Sequence, residues 1–378
     1  MKEFWKGKRV LLTGDTGFKG AWMAIWLNKM GAIVHGLSLP PDKDQPSLFS
    51  LIKGEKIWNS NFGNIQNIEE IIPVVKESNP EIVIHMAGQA IVGSSYIDPL
   101  NTYATNVMGT ANLLSALQHH SSVKAILVIT SDKVYENHDT GLAFAEEDRL
   151  GGDDPYSASK AAAEIVVSSW RKSFFEQMDI PVVTARGSNV IGGGDWSHDR
   201  LIPNYIRSIE NKKDAFVMRN PSSVRAWQHV MDTINGYLLY IMKVYEGEEL
   251  PLSLNFGPSQ EHALTAGTVI NMMQEYMHYP TIVNQSRYEK PYPEKNILLI
   301  DTSKAERVLS WQTLISPKES LLWTAQWYNE YFKKSNVYDI SLEQIKKYED
   351  IKDAAQLSLL QDTVGTDIGR FREYASGK

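Results

Sequence analysis

The amino-terminal part of the sequence joins a short apolar segment to a helix through a turn rich in glycine. The apolar segment is RVLLTG at 9–14, the turn contains Gly14, Gly17 and Gly20, and the helical pattern that follows ends at Gly31. A strand that leads through glycines into a helix is typical of the first unit of a parallel α/β fold. Glycine lets the backbone turn sharply and approach a phosphate, toward which the helix directs its first N–H groups. The same spacing also occurs in tight turns that bind nothing.

Apolar strands and helices continue to alternate through the first half of the chain. Because consecutive strands joined by helices pair in parallel, the alternation predicts a doubly wound sheet with helices on both faces. We therefore predict a Rossmann-type α/β domain that binds a dinucleotide over residues 1–185. The later strands of this pattern are predicted at 32–39, 81–88, 124–131 and 181–190, and two of its helices at 105–120 and 156–175.

After residue 185 the pattern changes to short helices and strands separated by loops rich in Gly, Pro, Ser and charge. We predict a smaller α/β substrate-binding region over 186–338, interleaved with the first domain. It would cover the carboxyl ends of the strands, where ligands of doubly wound folds bind. Residues 339–378 are mostly polar, and we expect them to form a C-terminal extension with one helix at the periphery of the fold.

The composition excludes several kinds of site and partner. The 378 residues include no cysteine, which excludes disulfides, thiolate metal ligands and a cysteine nucleophile, and which fits a reducing compartment. A net charge of -7, from 38 Lys and Arg against 45 Asp and Glu, argues against nucleic acid as the main partner. The sequence contains no long uncharged apolar run and no signal-peptide core, so we expect no membrane span and a cytoplasmic protein. We predict no metal site.

The end of the second predicted strand bears on the choice of dinucleotide. An acidic residue about 20 positions after the glycines would bind the ribose 2′-hydroxyl of NAD, and an arginine nearby would accept the 2′-phosphate of NADP. The strand ends instead at Ser38, which LPPDKD follows. The motif therefore leaves NAD and NADP both open.

A tyrosine and a lysine stand four residues apart at the start of the predicted helix 156–175. Tyr156 and Lys160 would share one face of this helix. A lysine ammonium favours the ionised phenol and so lowers its pKa. The phenolate could then take a proton from an alcohol while a hydride leaves for a nicotinamide. The alternative for so common a spacing is a solvated helix face.

The strand predicted at 124–131 ends in a hydroxyl, an acid and a base. VITSDKVYEN places Ser131, Asp132 and Lys133 in succession where the apolar residues run out. These three residues stand at the carboxyl edge of the sheet, where ligands of doubly wound folds bind. The alternative is a plain Asp–Lys ion pair at the end of a strand.

Taken together, these motifs resemble the extended short-chain dehydrogenase/reductase family that acts on nucleotide sugars. The resemblance covers residues 7–330 and includes the glycine turn, NVMGT with Asn106, Ser131, and the Tyr156–Lys160 pair. Within that family, TSDKVYEN, NVIGGGDW and RNPSSVRAWQHV are most similar to the CDP-glucose 4,6-dehydratases. The resemblance implies a Rossmann-type fold, NAD as the cofactor and a nucleotide sugar as the substrate.

The same resemblance assigns residues to each ligand and implies a homodimer or homotetramer. It assigns the cofactor to Gly14, Thr16, Gly17, Phe18, Lys19, Gly20, Ser38, Asn64, Ile65, Ala87, Tyr156 and Lys160. It assigns the substrate pyrophosphate to Asn189 and Arg225, with Arg200 and Arg219 as weaker candidates, because arginine grips two phosphate oxygens at once. Dimerisation would use the helix 156–175, whose apolar stripe consists of Ala161, Ile165, Val166 and Trp170.

The implied reaction explains the acid and the base after the strand. Oxidation at C4 of the hexose gives a ketone that acidifies the C5 proton. A base removes this proton while an acid protonates the departing C6 hydroxyl. The family assigns Asp132 as the acid, and Lys133 stands at the position of the base, so Lys133 must be neutral and Asp132 must have a raised pKa. The product would be CDP-4-keto-6-deoxyglucose, a precursor of bacterial O-antigen sugars.

Two other functions remain open. An NAD-dependent epimerase or 4-oxidase would keep Tyr156 and Lys160 but would leave Asp132 and Lys133 inert. A catalytically silent nucleotide-sugar-binding protein would need none of them. The glycine turn also departs from its relatives, because Asp15 replaces a histidine and is expected to place an anion near the phosphates. Asn64 replaces an aspartate that contacts adenine in the family.

Overall fold

The computed structural model describes residues 1–52, 57–213, 215–218, 220–259, 263–279, 282–284, 295 and 297–375, with the backbone alone at 282–284 and 358–375. The strands are β1 (Arg9–Thr13), β2 (Ile33–Ser38), β3 (Asn59–Phe62), β4 (Ile82–His85), β5 (Ala125–Ile129), β6 (Val182–Gly187), β7 (Asn189–Ile191), β8 (Ala215–Val217), β9 (Val224–His229), β10 (Ser253–Phe256), β11 (Ala263–Thr265), β12 (Ile282–Asn284) and β13 (Ile297–Leu298).

The helices alternate with these strands over the first half of the chain and predominate after it. They are α1 (Lys2–Trp5), α2 (Phe18–Lys29), α3 (Leu48–Ile52), α4 (Ile68–Ser78), α5 (Val92–Ile97), α6 (Pro99–Tyr103), α7 (Gly109–Leu117), α8 (Pro155–Trp170), α9 (Leu201–Glu210), α10 (Val230–Tyr245), α11 (Ala266–Met277), α12 (Ser303–Leu309), α13 (Pro317–Phe332) and α14 (Val337–Ala375). Within the described residues, no helix is both long and apolar enough to cross a membrane.

A seven-stranded parallel sheet forms the centre of the molecule, with the strand order β10-β6-β5-β4-β1-β2-β3. The chain builds β1, β2 and β3 toward one edge and then crosses back to add β4, β5 and β6 toward the other. The order therefore reverses between β1 and β4, and the crevice outside the carboxyl ends of these strands is where doubly wound folds bind ligands. The predicted Rossmann-type α/β fold is confirmed.

Buried apolar strands account for most of this sheet. Each side chain of β5, AILVI, is buried, as expected for a parallel strand covered by helices on both faces. The strand predicted at 181–190 is two strands, because β6 ends at Gly187 and β7 leaves the main sheet to pair with β9. β9 also pairs with β11 and β13, so a second, smaller sheet lies beyond the first. The bounds 1–185, 186–338 and 339–378 stay predictions.

The first part of α14 packs into the body of the protein. Ile345 and Tyr348 are fully buried, and the Tyr348 hydroxyl donates to Asp232 Oδ1 on α10 (2.9 Å). Trp26 Nε1 on α2 donates to Glu349 Oε1 (2.9 Å). The expectation of a peripheral extension is therefore wrong for this part of α14, because it packs against α2, α3 and α13.

Candidate active site

A cavity of about 530 Å³ opens at the carboxyl edge of the main sheet. Its wall contains all five predicted catalytic residues and most of the predicted substrate-binding ones. The structure thus brings together, in one cavity, groups that lie up to 206 positions apart between Lys19 and Arg225. These wall residues are Lys19, Ser131, Asp132, Lys133, Tyr156, Lys160, Asn189, Arg200 and Arg225.

Ser131 and Asp132 lie where β5 ends and a short 3₁₀ turn, Asp132–Val134, begins. Ser131 Oγ accepts from the Lys133 backbone N–H (3.2 Å) and donates to Asp132 Oδ1 (2.9 Å). Burial raises the pKa of Asp132, and the charge of Lys133 and the hydrogen bond from Ser131 oppose this shift only in part. A carboxyl group with a raised pKa suits the predicted role of a general acid.

Tyr156 and Lys160 enter the cavity from the first turns of α8. The Asp154 side chain caps this helix by accepting from the Ser157 N–H (2.9 Å), and Pro155 occupies its first position. Lys160 Nζ donates to the Ile129 carbonyl at the end of β5 (3.3 Å). The tyrosine and the lysine are therefore fixed relative to the strand that carries Ser131.

The expectation that Lys160 lowers the pKa of the Tyr156 phenol is wrong for the protein alone. Burial raises the pKa of Tyr156 to about 12, although the hydrogen bond with Ser131 lowers it in part. Burial also lowers the pKa of Lys160 to about 8, which the nearby Glu164 carboxylate opposes. Burial disfavours both charged forms and is the largest cause of each shift.

A buried ion pair behind Lys160 was missed by the sequence analysis. Glu164 on α8 binds Arg186 on β6 through two contacts of 3.0 and 3.1 Å, and it also accepts from Thr130 Oγ1 (2.5 Å) and Thr184 Oγ1 (2.8 Å). The pair and its two threonine partners therefore connect α8 to β6 and to the end of β5, which Ser131 follows. The sequence signal that could have found it is the lone arginine inside the apolar segment VVTARG of β6.

Replacing Glu164 by Gln is expected to lower the free energy of unfolding by about 3–5 kcal/mol, because it leaves the buried Arg186 without its counter-ion. The free energy would be measured by urea unfolding followed by circular dichroism. Glu248→Gln is the control, since Glu248 pairs with Lys243 on the surface (2.7 Å) and should change stability by at most about 1 kcal/mol. Equal losses in the two variants would contradict this account of the buried pair.

The glycine turn has the geometry of a dinucleotide cradle. Gly14 has φ +82, and a Cβ there would lie 2.7 Å from the backbone N of Ala87, beyond β4. A Cβ on Gly20 would lie 2.0 Å from the Gly14 carbonyl oxygen. Gly17 caps α2, whose first residues are Phe18 and Lys19. Neither position has room for a side chain, so the turn packs tightly against β4 and leads directly into the N-terminus of α2. A tight glycine turn that opens a helix after the first strand fits a dinucleotide.

Lys19 adds positive charge to the cavity at the start of α2. Burial and the neighbouring cations Arg200 and Lys160 lower the pKa of Lys19 to about 7, while Asp132 and Asp195 raise it. The described wall of the cavity holds six lysines and arginines beside six aspartates. Lys19 and its neighbouring cations are therefore individual groups that a diphosphate could contact, within a cavity of balanced formal charge.

The other residues assigned to the cofactor lie along the same edge. Thr16 is in the glycine turn, Ser38 is the last residue of β2, and Asn64 and Ile65 follow β3. Asn64 Oδ1 accepts from the Gln66 N–H (2.9 Å), so this oxygen is used within its own loop. These positions agree with a cofactor along the strand ends, and their contacts with it stay predictions.

The Asp15 side chain points away from the cradle, contrary to expectation. Its carboxylate accepts hydrogen bonds from Ser38, Trp58 and Ser60, on the side of β2 and β3. The anion is therefore not placed against the phosphates, because three donors from the neighbouring strands hold it.

The predicted substrate residues come from the second region. Asn189 begins β7 and Arg225 lies on the adjacent β9, where its guanidinium donates to the carbonyls of Val224 (2.8 Å) and Lys295 (2.7 Å). Arg200 pairs with Asp195 (2.9 Å), a further cavity residue that the sequence analysis missed. The prediction for Arg219 lies outside the described residues.

Three aromatic residues of this region take different places. Trp227 lines the cavity. Trp196 packs edge-on against Trp327 in the core, which is the more ordinary use of a tryptophan. His229 caps α10, and burial lowers its pKa to about 3, so it is a structural histidine.

The comparisons with known proteins agree with this geometry. The model of the GDP-mannose 4,6-dehydratase family matches residues 11–321. The chain belongs to this family. The CDP-glucose 4,6-dehydratase of Salmonella typhimurium is 39% identical to this chain over 353 residues. The alignment covers 92% of this chain and 98% of the relative. The predicted membership of the extended short-chain dehydrogenases that act on nucleotide sugars is confirmed.

Solved structures of lower identity share the fold of this dehydratase-family chain. The dTDP-glucose 4,6-dehydratase of Bacillus anthracis in complex with NAD has a TM-score of 0.71 at 21% identity, covering 88% of this chain and 100% of that one. An epimerase from Methanothermobacter thermautotrophicus has a TM-score of 0.74 at 24% identity, covering 88% and 96%. Both dehydratases and epimerases therefore use this fold, and residues at the cavity must decide between them.

Proposed function

We propose that the protein is an NAD-dependent nucleotide-sugar 4,6-dehydratase that converts CDP-glucose to CDP-4-keto-6-deoxyglucose. The observation that carries the proposal is the presence of Asp132 and Lys133 in the same cavity as Ser131, Tyr156 and Lys160. Elimination of water needs an acid and a base in addition to the groups that oxidise an alcohol. The choice of CDP-glucose is supported by the relative that is 39% identical and carries that name.

The first step is oxidation at C4 of the hexose. The cofactor is NAD, which when bound accepts the hydride from C4 and later returns it to C6. Tyr156 takes the proton of the C4 hydroxyl, and its hydrogen bond with Ser131 lowers the pKa of Tyr156. Lys160 holds its place through the Ile129 carbonyl.

The second step is elimination of water across C5 and C6. The C4 ketone makes the C5 proton acidic, and Lys133 removes it. Asp132, whose burial keeps its carboxyl group protonated to higher pH, gives a proton to the C6 hydroxyl. The C6–O bond breaks and water leaves. The double bond between C5 and C6 is then reduced, because C6 receives the stored hydride and Lys133 returns the proton to C5. Arg225 and Arg200 would bind the substrate diphosphate, since both line the same cavity.

The proposal is tested by mixing the purified protein with CDP-glucose and no added cofactor. We expect a product that has lost one water by mass and that shows the alkaline ultraviolet absorbance of a 4-keto-6-deoxy sugar, without net formation of NADH. The dTDP-, UDP- and GDP-hexoses would be run in parallel to fix the nucleotide. The absence of product from CDP-glucose and from all the other nucleotide hexoses would contradict the dehydratase proposal. Formation of NADH without a dehydrated product would indicate a 4-oxidase.

Two other functions are weaker. An epimerase or 4-oxidase is favoured only by the shared fold, and it leaves the Asp132–Lys133 pair without a role. A silent nucleotide-sugar-binding protein leaves all five cavity groups without a role. Single turnover separates both from a dehydratase, because only a dehydratase releases water.

We also propose that the enzyme works as a homodimer in the cytoplasm, where it would supply a deoxysugar for bacterial O-antigen. The proposal of a dimer is supported by exposed apolar side chains on α5, α6 and α8, helices that contact one another. Ile97 on α5 and Leu100 on α6 are 86% and 81% exposed, and Ile165 on α8 is exposed too. Ala161, from the predicted stripe, packs internally against Val134 instead.

Replacing Ile165 by Arg is expected to convert the protein to monomers, because a charge in an apolar interface loses its hydration. Light scattering coupled to gel filtration would report the change as a halved molar mass. Leu142→Arg is the control, since Leu142 is an equally apolar, exposed residue that belongs to none of these helices. A wild-type protein that is already monomeric would overturn the proposed dimer.

A further inference from the structure

The carboxylate of Asp15 is fully buried although it belongs to the glycine turn. It accepts from Ser38 Oγ (2.6 Å), Trp58 Nε1 (2.9 Å) and Ser60 Oγ (2.5 Å), three donors that are all neutral. Gly36 on β2 makes room for it, because a Cβ there would lie 2.1 Å from Asp15 Oδ2. The fold thus builds a specific pocket for an anion between the glycine turn and the two strands at this edge.

This anion lies at the place where the choice between NAD and NADP is made. In dinucleotide-binding folds an acidic residue at the end of the second strand binds the ribose 2′-hydroxyl of NAD. Here β2 ends in Ser38, and no acid stands at its end. The carboxylate near this strand end belongs instead to Asp15 of the glycine turn, and it accepts a hydrogen bond from the hydroxyl of Ser38.

The hydrogen bonds of Ser38 decide what it can offer to a ligand. A serine hydroxyl has one proton to donate, and Ser38 gives it to Asp15. Its oxygen accepts from the Thr16 N–H (3.3 Å) and has a further lone pair. The Thr16 hydroxyl is committed too, because it donates to the Leu39 carbonyl (3.0 Å). Both hydroxyls at the strand end can therefore accept a hydrogen bond from a ligand, whereas their protons are already used.

We infer that Asp15, acting through Ser38, makes the enzyme select NAD over NADP. A ribose 2′-hydroxyl can donate to the accepting oxygen of Ser38. A 2′-phosphate has only acceptors and carries negative charge, so it finds no donor there and is repelled by the buried carboxylate. The lysine nearest to Ser38 along the chain is Lys43, on the loop after β2, where Asp42 and Asp44 flank it. The inference rests on the proposed use of the glycine turn to bind a dinucleotide, and Asp15 is in this account a positioning residue.

The test is a competition for the cofactor site of the purified holoenzyme. The protein is incubated with equal concentrations of NAD and NADP until the bound ratio is constant, and gel filtration removes free nucleotide. The bound nucleotides are released by denaturation and counted by chromatography. Wild type is expected to hold NAD in at least about a hundredfold excess, and Asp15→Asn to reduce that excess by about tenfold or more. Asp44→Asn removes a carboxylate of equal charge from the exposed loop and should change the ratio by less than about twofold.

Two results would overturn the inference. One is a wild-type protein that binds NAD and NADP equally. This result does not depend on whether any variant folds. The other is an Asp15→Asn protein that melts as cooperatively as wild type and keeps the full excess of NAD. If Asp15→Asn does not fold, Ser38→Ala leaves Asp15 bonded to Trp58 and Ser60 and must itself reduce the excess. The ratio of bound NAD to NADP is measured without a sugar nucleotide, so it can be read even if the protein does not dehydrate CDP-glucose. A protein that binds neither NAD nor NADP would contradict both the proposed dehydratase and the inferred selection of NAD.

Discussion

Replacing Tyr156 by Phe is expected to reduce turnover of CDP-glucose by about 10²–10⁴-fold, because it removes the group that takes the C4 proton. The ring would keep its place, since Tyr156 is buried at the start of α8 and Asp154 and Pro155 fix that end of the helix. Without C4 oxidation the later steps cannot begin. In a single turnover we therefore expect neither reduced nicotinamide nor product.

Product formation would be followed by mass and by the alkaline absorbance of the 4-keto sugar. Tyr103→Phe is the matched control, because Tyr103 is a partly exposed tyrosine at the end of α6, and its loss should leave turnover unchanged. A Tyr156→Phe enzyme with more than about a tenth of wild-type turnover would remove Tyr156 from the proton transfer.

Replacing Asp132 by Asn is expected to lower turnover by a comparable factor of about 10²–10⁴ and to stop the reaction at a later point. Oxidation at C4 needs only Tyr156 and its neighbours, so the variant should still form reduced nicotinamide in a single turnover. Lys133 should still remove the C5 proton. The C6 hydroxyl would stay in place, because Asn cannot donate a proton to it as the buried carboxyl group of Asp132 does.

Exchange at C5 in deuterated solvent separates the two elimination residues. Asp132→Asn should exchange the C5 hydrogen of bound substrate and release no water, whereas Lys133→Met should do neither. Loss of exchange in Asp132→Asn with its retention in Lys133→Met would reverse the assigned roles. Full turnover in both variants would leave the epimerase or 4-oxidase as the better description.

Much of the sheet could be predicted from the sequence because its strands are buried on both faces and read as continuous apolar runs. β5 and β4 are uniformly buried, and both were predicted close to their observed bounds. The edge strand β3, NSNF, was missed because an edge strand exposes polar side chains and so lacks an apolar run. The break at Ser188 was missed because it depends on β7 pairing with a strand nearly forty residues away, which no local pattern encodes.

The residues proposed as catalytic could be found in the sequence because they stand at short spacings, and the structure brings them into one cavity. Ser131, Asp132 and Lys133 are consecutive, and Tyr156 and Lys160 are one helical turn apart. Their electrostatics could not be predicted, because burial depends on the whole fold and acts against the charged forms of both Tyr156 and Lys160.

The Glu164–Arg186 pair shows another limit of prediction. Its two members lie 22 residues apart, on a helix and a strand that meet only in the folded protein. A lone arginine inside the apolar segment VVTARG was a warning in the sequence, since a buried guanidinium requires a partner.

The hydrogen bond from Trp26 to Glu349 joins residues 323 positions apart, so it can form only after most of the chain has been synthesised. Ribosomes add roughly 5–20 residues per second, so α2 is made on the order of tens of seconds before α14. During this interval the nascent chain presents the indole of Trp26 without the helix that will cover it. A later segment of the chain thus covers an earlier one, and a chain stalled before residue 337 would be a natural target for chaperones and proteases.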